Sequence, residues 1–324
     1  MKQAACIVGI CFLSAFALTA EAAKVSDAFR RALVRGARAR VIVSVHDDEG
    51  APVSDAAVTA AIARGDDEYS IHGSTDINGK WIFDGETTGN YIQISVHKSG
   101  YYDSKIKFSY IDMGAEHEVK DGKWQPYGVE EKIVLRKILN PTRMVSNIES
   151  MAFDYSIIAT NVLIGFDMEK NDLVSPHGKG EIADFYIEFQ SDGLPPNASK
   201  YSKLTVTYST PLGAAYEVPV SAQSDFKGRY SVECDKFDAA PLIFVNRVTE
   251  SGRRKDRLGQ KKMAVIRSRC KVDEQGRLNA ANYSTLDYLS FSTSFDGPGC
   301  CRIHFHFNPI PNDTNLEPKR ERGR

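Results

Sequence analysis

The residues whose types and spacing best suit chemistry lie near the end of the chain, in the sequence CCRIHFHF at positions 300–307. Alternate residues of an extended strand face opposite sides, so Cys300, His304 and His306 share one face and the intervening apolar residues share the other. A His-x-His pair on one strand face can chelate zinc or another transition metal, and a nearby cysteine can add a ligand. A solvated polar strand face gives the same pattern, so the sequence leaves both interpretations open.

A second group of polar residues lies in NDLVSPHGKGEIAD, positions 171–184. Its candidate binding residues are Asp172, His177, Lys179, Glu181 and Asp184. The glycines between them would let a ligand approach the backbone closely. The spacing matches neither a phosphate-binding loop nor the nucleophile elbow of a hydrolase. The pattern is therefore typical of a surface loop or of a loop that lines a binding site.

Four cysteines follow the N-terminal segment, and an even number is compatible with disulfides in an exported protein. Strand alternation places Cys234 and Cys270 on inward faces, each beside a turn of the form D-x-x-G. We predict either a Cys234–Cys270 disulfide or two buried thiols at these positions. Cys300 and Cys301 would then form a vicinal disulfide, bind a metal or pair between chains.

The N-terminus has the pattern of a secretory signal peptide. Lys2 precedes an apolar run at 4–20, and a small-x-small site ends at Ala22. We predict that residues 1–22 are a signal peptide, cleaved after Ala22 or Ala23, and that the protein is secreted or periplasmic. An uncleaved membrane anchor is the alternative. No later stretch is long and apolar enough to span a bilayer, so we predict no transmembrane span after cleavage.

The charge balance bears on the partners. The 324 residues contain 41 Lys and Arg and 42 Asp and Glu, for a formal net charge of −1. Nucleic-acid-binding domains are usually basic, so we predict no nucleic-acid partner. A basic run at 251–262 could meet an anionic surface or form a solvated loop. The segment 311–324 is rich in charge and poor in apolar residues, which predicts a disordered basic tail.

Apolar residues alternate with polar ones in short runs from about residue 39 onwards, which predicts β-strands. Before them, Ser26 can cap a short helix in which Phe29, Leu33 and Val34 share a face. The loop that begins at Asp76 resembles half of a calcium loop, but the alternating ligand series of such a loop is absent. We therefore interpret its D-x-x-G sequence as a hairpin turn. The same sequence recurs at two further positions, which begin at Asp225 and Asp273.

One part of the chain is similar to a known family. The sequences VIVSVHDDEGAPVSDAAVTA, STDINGKWIF, GNYIQISV and KSGYY lie within residues 39–110. In these sequences the chain resembles a carboxypeptidase regulatory-like domain, which implies a transthyretin-like β-sandwich. The resemblance implies an accessory role as spacer, stabiliser or binding module, and no catalytic residues. Residues 165–189 are similar to a stretch found in uncharacterised exported bacterial proteins, which implies an envelope or secreted location.

Together these patterns predict an all-β protein with an N-terminal transthyretin-like β-sandwich and a second, larger β-sandwich or barrel-like domain. The predicted segments are a signal peptide at 1–22, a short helix or linker at 23–38, the first sandwich at 39–128, the second domain at 129–310 and the tail at 311–324.

The favoured function is a non-enzymatic binding or structural role in the cell envelope or extracellular space, with a glycan or protein partner and no cofactor. The alternative is a metal-dependent hydrolase with its site in the second domain.

Overall fold

The computed structural model describes residues 26–110, 119–147, 154–157, 160–192, 201–249, 252–259, 261–292 and 299–319. The predicted signal peptide and the last residues of the predicted tail lie outside these ranges. Among the described residues, no helix has the length and apolar content needed to cross a bilayer.

The chain enters the fold through a single short helix, α1 (Asp27–Arg35). Ser26 caps it, because its hydroxyl oxygen accepts a hydrogen bond from the Phe29 N–H at 3.2 Å. Phe29 is buried as predicted, whereas Leu33 is 42% exposed and Val34 is 77% exposed. The predicted three-residue apolar face is therefore wrong, because the helix contacts the sandwich only along a narrow stripe around Phe29.

The first domain is built from two sheets. Its strands are β1 (Ala37–Asp47), β2 (Ala57–Arg64), β3 (Asp67–Ser74), β4 (Lys80–Thr87), β5 (Tyr91–His97), β6 (Ser104–Ser109), β7 (Val119–Lys120), β8 (Lys123–Trp124) and β9 (Val129–Leu135). The first sheet has the order β4-β1-β8-β7, with β9 also paired to β1, and the second has the order β3-β2-β5-β6.

The predicted alternation is confirmed in the core of this domain. Val41, Val43 and Val45 of β1 are fully buried, and the alternate residues of β5 join them in one apolar cluster. One predicted boundary is wrong. Strand β9 pairs in parallel with β1 along seven residues, from Val41↔Val129 onwards, so the first sandwich extends to the end of β9 rather than to residue 128.

The D-x-x-G sequences form turns with one shared device. The Asp76 carboxylate accepts the N–H groups of Asn78 and Lys80 at 2.9 and 2.8 Å, and the glycine at the end of the turn has a positive φ of 72°. Asp273 does the same in its own turn, so these two hairpin predictions are confirmed. Another turn with the same bonds lies at Asp47, whose carboxylate accepts the N–H groups of Glu49 and Ala51 at 3.1 and 2.8 Å.

The hairpin predicted at Asp225 is wrong. The Asp225 N–H donates to the carbonyl of Asp103 at 2.8 Å, in the first domain, and Gly228 is not among the positive-φ glycines. This segment therefore contacts the first domain. A local sequence pattern cannot predict such a contact, because the partner residue is distant in the chain.

The second domain is also built from two sheets. Its strands are β10 (Val145–Ser146), β11 (Asp154–Ile157), β12 (Leu163–Asp167), β13 (Asp172–Leu173), β14 (Phe185–Ser191), β15 (Tyr201–Tyr208), β16 (Ala214–Pro219), β17 (Leu242–Thr249), β18 (Gly252–Lys255), β19 (Lys262–Val272), β20 (Leu278–Ser292) and β21 (Gly299–Asn308), with one 3-10 turn at Cys234–Lys236. The third sheet has the order β10-β21-β20-β19-β16, with β11 also paired to β21, and the fourth has the order β13-β12-β14-β15-β17-β18.

The third and fourth sheets enclose one apolar cluster that contains residues of both, including Phe166, Phe185, Phe244, Ile303 and Phe305. The prediction of an all-β protein is confirmed, since the regular secondary structure of the described residues is almost entirely strand.

The two domains meet through a side chain that imitates a strand. The Gln223 amide oxygen accepts the Val134 N–H at 3.1 Å, and its amide nitrogen donates to the Lys132 carbonyl at 3.0 Å. Gln223 therefore provides hydrogen-bond partners for the Val134 N–H and the Lys132 carbonyl of β9, as a neighbouring strand would. Beside it, the Arg136 guanidinium stacks 4.4 Å over the Phe226 ring and donates to the Phe226 carbonyl.

The C-terminal segment is ordered to residue 319, so the prediction of disorder from residue 311 is wrong for residues 311–319. Glu317 is 1% exposed, and its carboxylate accepts three hydrogen bonds. The donors are the Tyr102 hydroxyl at 2.8 Å and the N–H groups of Leu139 and Asn140 at 2.9 and 2.6 Å. These bonds join Tyr102 of the first domain and the segment that follows β9 to the segment around Glu317.

Glu317→Ala is expected to lower the free energy of unfolding by about 3 kcal/mol, because it leaves several buried donors without an acceptor. Urea unfolding measures the change. Glu274→Ala, at an exposed hairpin tip, is the matched control and should change it by less than about 0.5 kcal/mol. Equal effects in the two variants would contradict a structural role for Glu317.

Stability should also depend on Asp47 in acid. Burial by itself raises the pKa of Asp47, but hydrogen bonds from backbone N–H groups, that of Ala51 foremost, and from Lys137 outweigh it, so the folded-state pKa lies below the usual value. A depressed pKa contributes stability above the unfolded-state pKa, and this is lost as the pH falls through the folded-state value.

Wild type should therefore lose more unfolding free energy than Asp47→Asn between about pH 6 and about pH 3. Urea unfolding across that range measures the difference. Parallel pH profiles for the two proteins would show that Asp47 does not contribute.

Candidate functional site

A polar cleft of about 240 Å³ lies in the second domain, where β17 and β18 of the fourth sheet meet the end of β20 and the start of β21 in the third. The connection from β18 to β19 forms one wall. It is fixed in place by Leu258, which is fully buried and whose N–H donates to the Leu289 carbonyl at 3.1 Å. The cleft is therefore a feature of how the two sheets join.

The charges around this cleft are mostly positive. Lys255, Arg257 and Arg302 line it together with one carboxylate, that of Asp256. Lys255 and Arg257 belong to the basic run at 251–262, so the structure brings part of that run to the cleft. In the described part of the chain, neither of these two side chains forms an ion pair.

Asn246 gives the cleft a hydrogen-bonding position. Its side chain is 9% exposed, and its amide nitrogen donates to the Phe291 carbonyl at 3.0 Å. Its amide oxygen is buried and accepts no hydrogen bond from any described residue. An amide oxygen left unsatisfied in this way costs free energy, which a ligand with a donor group could recover.

The predicted strand faces around CCRIHFHF are confirmed. Cys301, Ile303 and Phe305 are fully buried in the core between the sheets, while Cys300 lines the cleft on the opposite face. Adjacent cysteines that face opposite sides of a strand are poorly placed for the vicinal disulfide that the sequence left open.

The histidines of this strand lie farther along the same face. The His304 ring is 5.3 Å from the Tyr288 ring, which lines the cleft, and the His306 Nε2 lies 3.5 Å from the Asp287 carboxylate. Within the described ranges, no group of three or more His, Cys, Asp or Glu residues has the geometry to hold a metal ion. The candidate ligands His304, His306 and Cys300 therefore share a strand face without forming such a group.

The loop at 171–184 uses its carboxylates within the fold. Asp172 accepts the N–H groups of Leu173 and Lys179 at 2.8 and 3.0 Å. A Cβ atom on Gly178 would lie 2.3 Å from the Leu173 carbonyl oxygen, so this glycine serves a tight turn rather than an approaching ligand.

Three other candidate binding residues of this loop, Lys179, Glu181 and His177, lie in different surroundings. Glu181 and Lys179 are exposed, and the Glu181 carboxylate lies 3.9 Å from Lys170. His177 is half-buried, and its N–H donates to the Val174 carbonyl at 3.0 Å. The structure does not bring the five candidate side chains together into one site.

Asp184, the last of these candidates, belongs to a buried charge cluster. It is fully buried, and its carboxylate accepts two hydrogen bonds from the Arg269 guanidinium at 2.9 and 3.1 Å. The same guanidinium donates to the Asp167 carboxylate at 2.9 Å and contacts Glu169. Arg269 has a positive φ of 51° within a bulge of β19, and this conformation lets its side chain reach across from the third sheet to the fourth.

Burial raises the pKa of Asp184, although Arg269 and the Ser268 hydroxyl oppose the shift. Burial also acts to raise the pKa of Asp167, but backbone N–H groups, with Glu181 foremost, outweigh it and lower the pKa. The pKa of Arg269 is raised, because its carboxylate partners outweigh the effect of burial. The hydrogen bonds from Arg269 to Asp184 and Asp167 join the third sheet to the fourth.

The structure does not contain the predicted disulfide. Cys234 and Cys270 are both free thiols, and Cys234 is exposed. The reason is local, since Cys234 begins a 3-10 turn instead of continuing a strand, and Cys270 follows the bulge at Arg269. Both contribute to the electrostatic surroundings of the Tyr283 hydroxyl, so they lie on the same side of the domain.

Two residues of the cleft and the charge cluster, Asn246 and Arg269, were not predicted from the sequence. Asn246 shares the inward face of β17 with Phe244, so a polar residue in an apolar register was its signal. Arg269 carries no such signal, because its importance depends on two carboxylates about a hundred residues away in the chain.

Comparisons with known proteins add little. No family model matches the chain, and no curated protein matches it. The solved structures that match include 3-chlorocatechol 1,2-dioxygenase from Rhodococcus opacus 1CP, at 16% identity and a TM-score of 0.24 over 32% of this chain and 61% of that one. Chlorocatechol 1,2-dioxygenase from Pseudomonas putida matches at 13% identity and a TM-score of 0.26, over 32% of this chain and 61% of that one.

A DUF3823 family protein from Parabacteroides merdae ATCC 43184 matches at 7% identity and a TM-score of 0.21, over 86% of this chain and 98% of that one. The chain thus spans less than two thirds of each of the two dioxygenases. All three TM-scores are low, so these likenesses establish neither a family nor a function.

Arg269→Ala should destabilise the second domain by about 3–5 kcal/mol, because it leaves the buried Asp184 carboxylate without its cation. Chemical denaturation measures the loss. Arg277→Ala is the matched control. It removes an exposed arginine that pairs with Asp273, and should cost no more than about 1 kcal/mol. A loss for Arg269→Ala no larger than that of the control would show that the cluster does not stabilise the domain.

Proposed function

We propose that this chain is an exported, non-enzymatic binding protein that holds a glycan or protein ligand of the cell envelope or extracellular space in the cleft of its second domain. The observation that carries the proposal is the unsatisfied amide oxygen of Asn246, which lies in a cleft lined by cations. Other buried polar atoms of the described residues, such as the Thr205 and Ser284 hydroxyls, also lack a partner. What singles out Asn246 is that this residue lines a cleft, where a ligand can supply the missing donor.

The cleft has the features of a binding site. Ser290 and Ser292 add hydroxyl groups that can donate and accept, and Tyr288 adds an aromatic wall. Polar groups that converge in a concave site fix the orientation of a ligand.

The first domain supports this function as a rigid spacer, in keeping with the carboxypeptidase regulatory-like resemblance of residues 39–110. Its edge strand β9 is held by Gln223, and Glu317 joins it to the end of the chain. Many hydrogen bonds cross the junction, so the cleft would be presented at a fixed position relative to the first domain. The signal-peptide pattern at 1–22 supports the proposed export.

The test uses the cleft's own thiol. In protein recovered after export and carrying Cys234→Ser and Cys270→Ser, a bulky maleimide is attached to Cys300, which lines the cleft. Binding is measured on an array of neutral and acidic glycans and by titration with candidate envelope proteins. We expect the unlabelled protein to bind at least one ligand and the labelled protein to lose that binding, because the adduct fills a cleft of about 240 Å³.

The unlabelled double variant is the control for the substitutions, and circular dichroism checks that labelling preserves the fold. A ligand that binds labelled and unlabelled protein equally would place the binding site elsewhere. Failure of the unlabelled protein to bind any glycan or protein would overturn the proposed function.

A further inference from the structure

We infer that the ligand of the cleft is an anionic sugar, that is, a hydroxyl-bearing ring that carries a carboxylate or sulfate group. The inference rests on the proposed binding function and names the ligand class of the same site. It follows from three features of the cleft: its charge, its one unsatisfied acceptor and its size.

The charge of the cleft favours an anion. Among the described residues that line it, Lys255, Arg257 and Arg302 are cationic and Asp256 carries the one carboxylate. A guanidinium presents a planar set of N–H donors that matches a carboxylate or sulfate group with two parallel hydrogen bonds. Lys255 and Arg257 have no ion-pair partner among the described residues, so an incoming anion need not displace one.

The unsatisfied acceptor requires a ligand that also donates. Asn246 lines the cleft, and its amide nitrogen donates to the Phe291 carbonyl, while its buried amide oxygen has no donor among the described residues. A simple carboxylate or sulfate ion carries no donor that could satisfy this oxygen. A sugar hydroxyl does, and the Ser290 hydroxyl can serve a further ring hydroxyl, whereas the Ser292 hydroxyl already lies 3.2 Å from the Cys300 thiol.

The size requires a small ligand group. A cleft of about 240 Å³ is smaller than the roughly 300–1,000 Å³ of pockets that hold drug-sized ligands, so it has room for one sugar ring. Tyr288 supplies a wall for the apolar face of that ring. A Cβ atom on Gly259 would lie 2.4 Å from the Tyr288 ring, so glycine at this position lets the connection from β18 to β19 pack closely against Tyr288.

A folded protein partner fits less well. A stable protein interface buries about 1,200–2,000 Å² in total, with a flat or gently curved core, whereas the features described here converge on one small concave site. The charge and the acceptor position therefore favour an acidic glycan over a protein surface.

Isothermal titration of the full exported chain tests the inference. The probes are oligosaccharides of glucuronate and galacturonate, a sulfated disaccharide, the neutral sugars of the same ring structure, and acetate and inorganic sulfate. We expect the anionic sugars to bind and their affinity to fall as salt is raised. Neutral sugars should bind about tenfold more weakly or worse because they lack the anion, and the simple ions because they lack the donor.

Two variants locate the binding. Lys255→Ala with Arg257→Ala should weaken the anionic sugars by about tenfold or more. Asn246→Asp keeps the shape of the side chain but places a negative charge beside the anion, so it should also abolish binding. Lys105→Ala with Lys271→Ala removes two exposed lysines away from the cleft and should leave the affinity unchanged. Thermal unfolding of each variant separates lost binding from lost folding.

The outcomes distinguish this inference from the proposed function. Cleft-dependent binding of neutral glycans or of a protein, without binding of anionic sugars, would overturn the inference and leave the proposed function standing. Equal affinity for inorganic sulfate and sulfated sugar would show that no sugar donor is read, and would also overturn it. Anionic sugars that bind the Lys255 and Arg257 double variant as well as wild type would show that the cleft is not their site. Absence of any ligand would overturn both.

Discussion

In the second domain, one mostly buried guanidinium joins two sheets through buried carboxylates. Arg269 extends from the bulge in β19 and meets Asp184 and Asp167, which flank strands of the opposite sheet. The carboxylates around Arg269 also accept hydrogen bonds from backbone N–H groups, and Asp184 accepts one from the Ser268 hydroxyl at 2.7 Å. A buried charge of this kind is tolerated only when its hydrogen bonds are satisfied, so it fixes one arrangement of the sheets out of the many that an apolar core alone would allow.

The cleft is a consequence of that arrangement. Apolar packing and the Arg269 cluster hold the two sheets together, and the connection from β18 to β19 passes from one sheet to the other beside the cleft. The Leu258 N–H donates to the Leu289 carbonyl, and Lys255 and Arg257, which precede Leu258, line the cleft. This bond holds the backbone of the connection, which favours a preformed cleft over one that must order on binding.

Much of the fold could be predicted from the sequence, because it rests on local periodicity. The alternation of valines in β1 and the carboxylate-capped turns at Asp76 and Asp273 each need only a few neighbouring residues. The failures share a different cause. Asp225 has the turn sequence but bonds to the first domain, and Glu317 lies in a polar tail whose order depends on donors that are distant in the chain. The composition of a segment does not show which distant residues of the same chain will form hydrogen bonds with it.

The same reasoning explains which site residues could be found. Sequence patterns drew attention to carboxylates and histidines because these residue types do chemistry, yet Asp172 and Asp184 accept hydrogen bonds from the chain itself. In a sequence, a carboxylate that binds a ligand cannot be told from one that stabilises the fold, because the difference lies in the donors that surround it in the structure. Asn246 is the opposite case, because it is an unremarkable residue type whose oxygen lacks a donor. The Thr205 and Ser284 hydroxyls also lack a partner among the described residues, so an unsatisfied atom is informative only together with its position. Asn246 combines the two, because it lines the cleft.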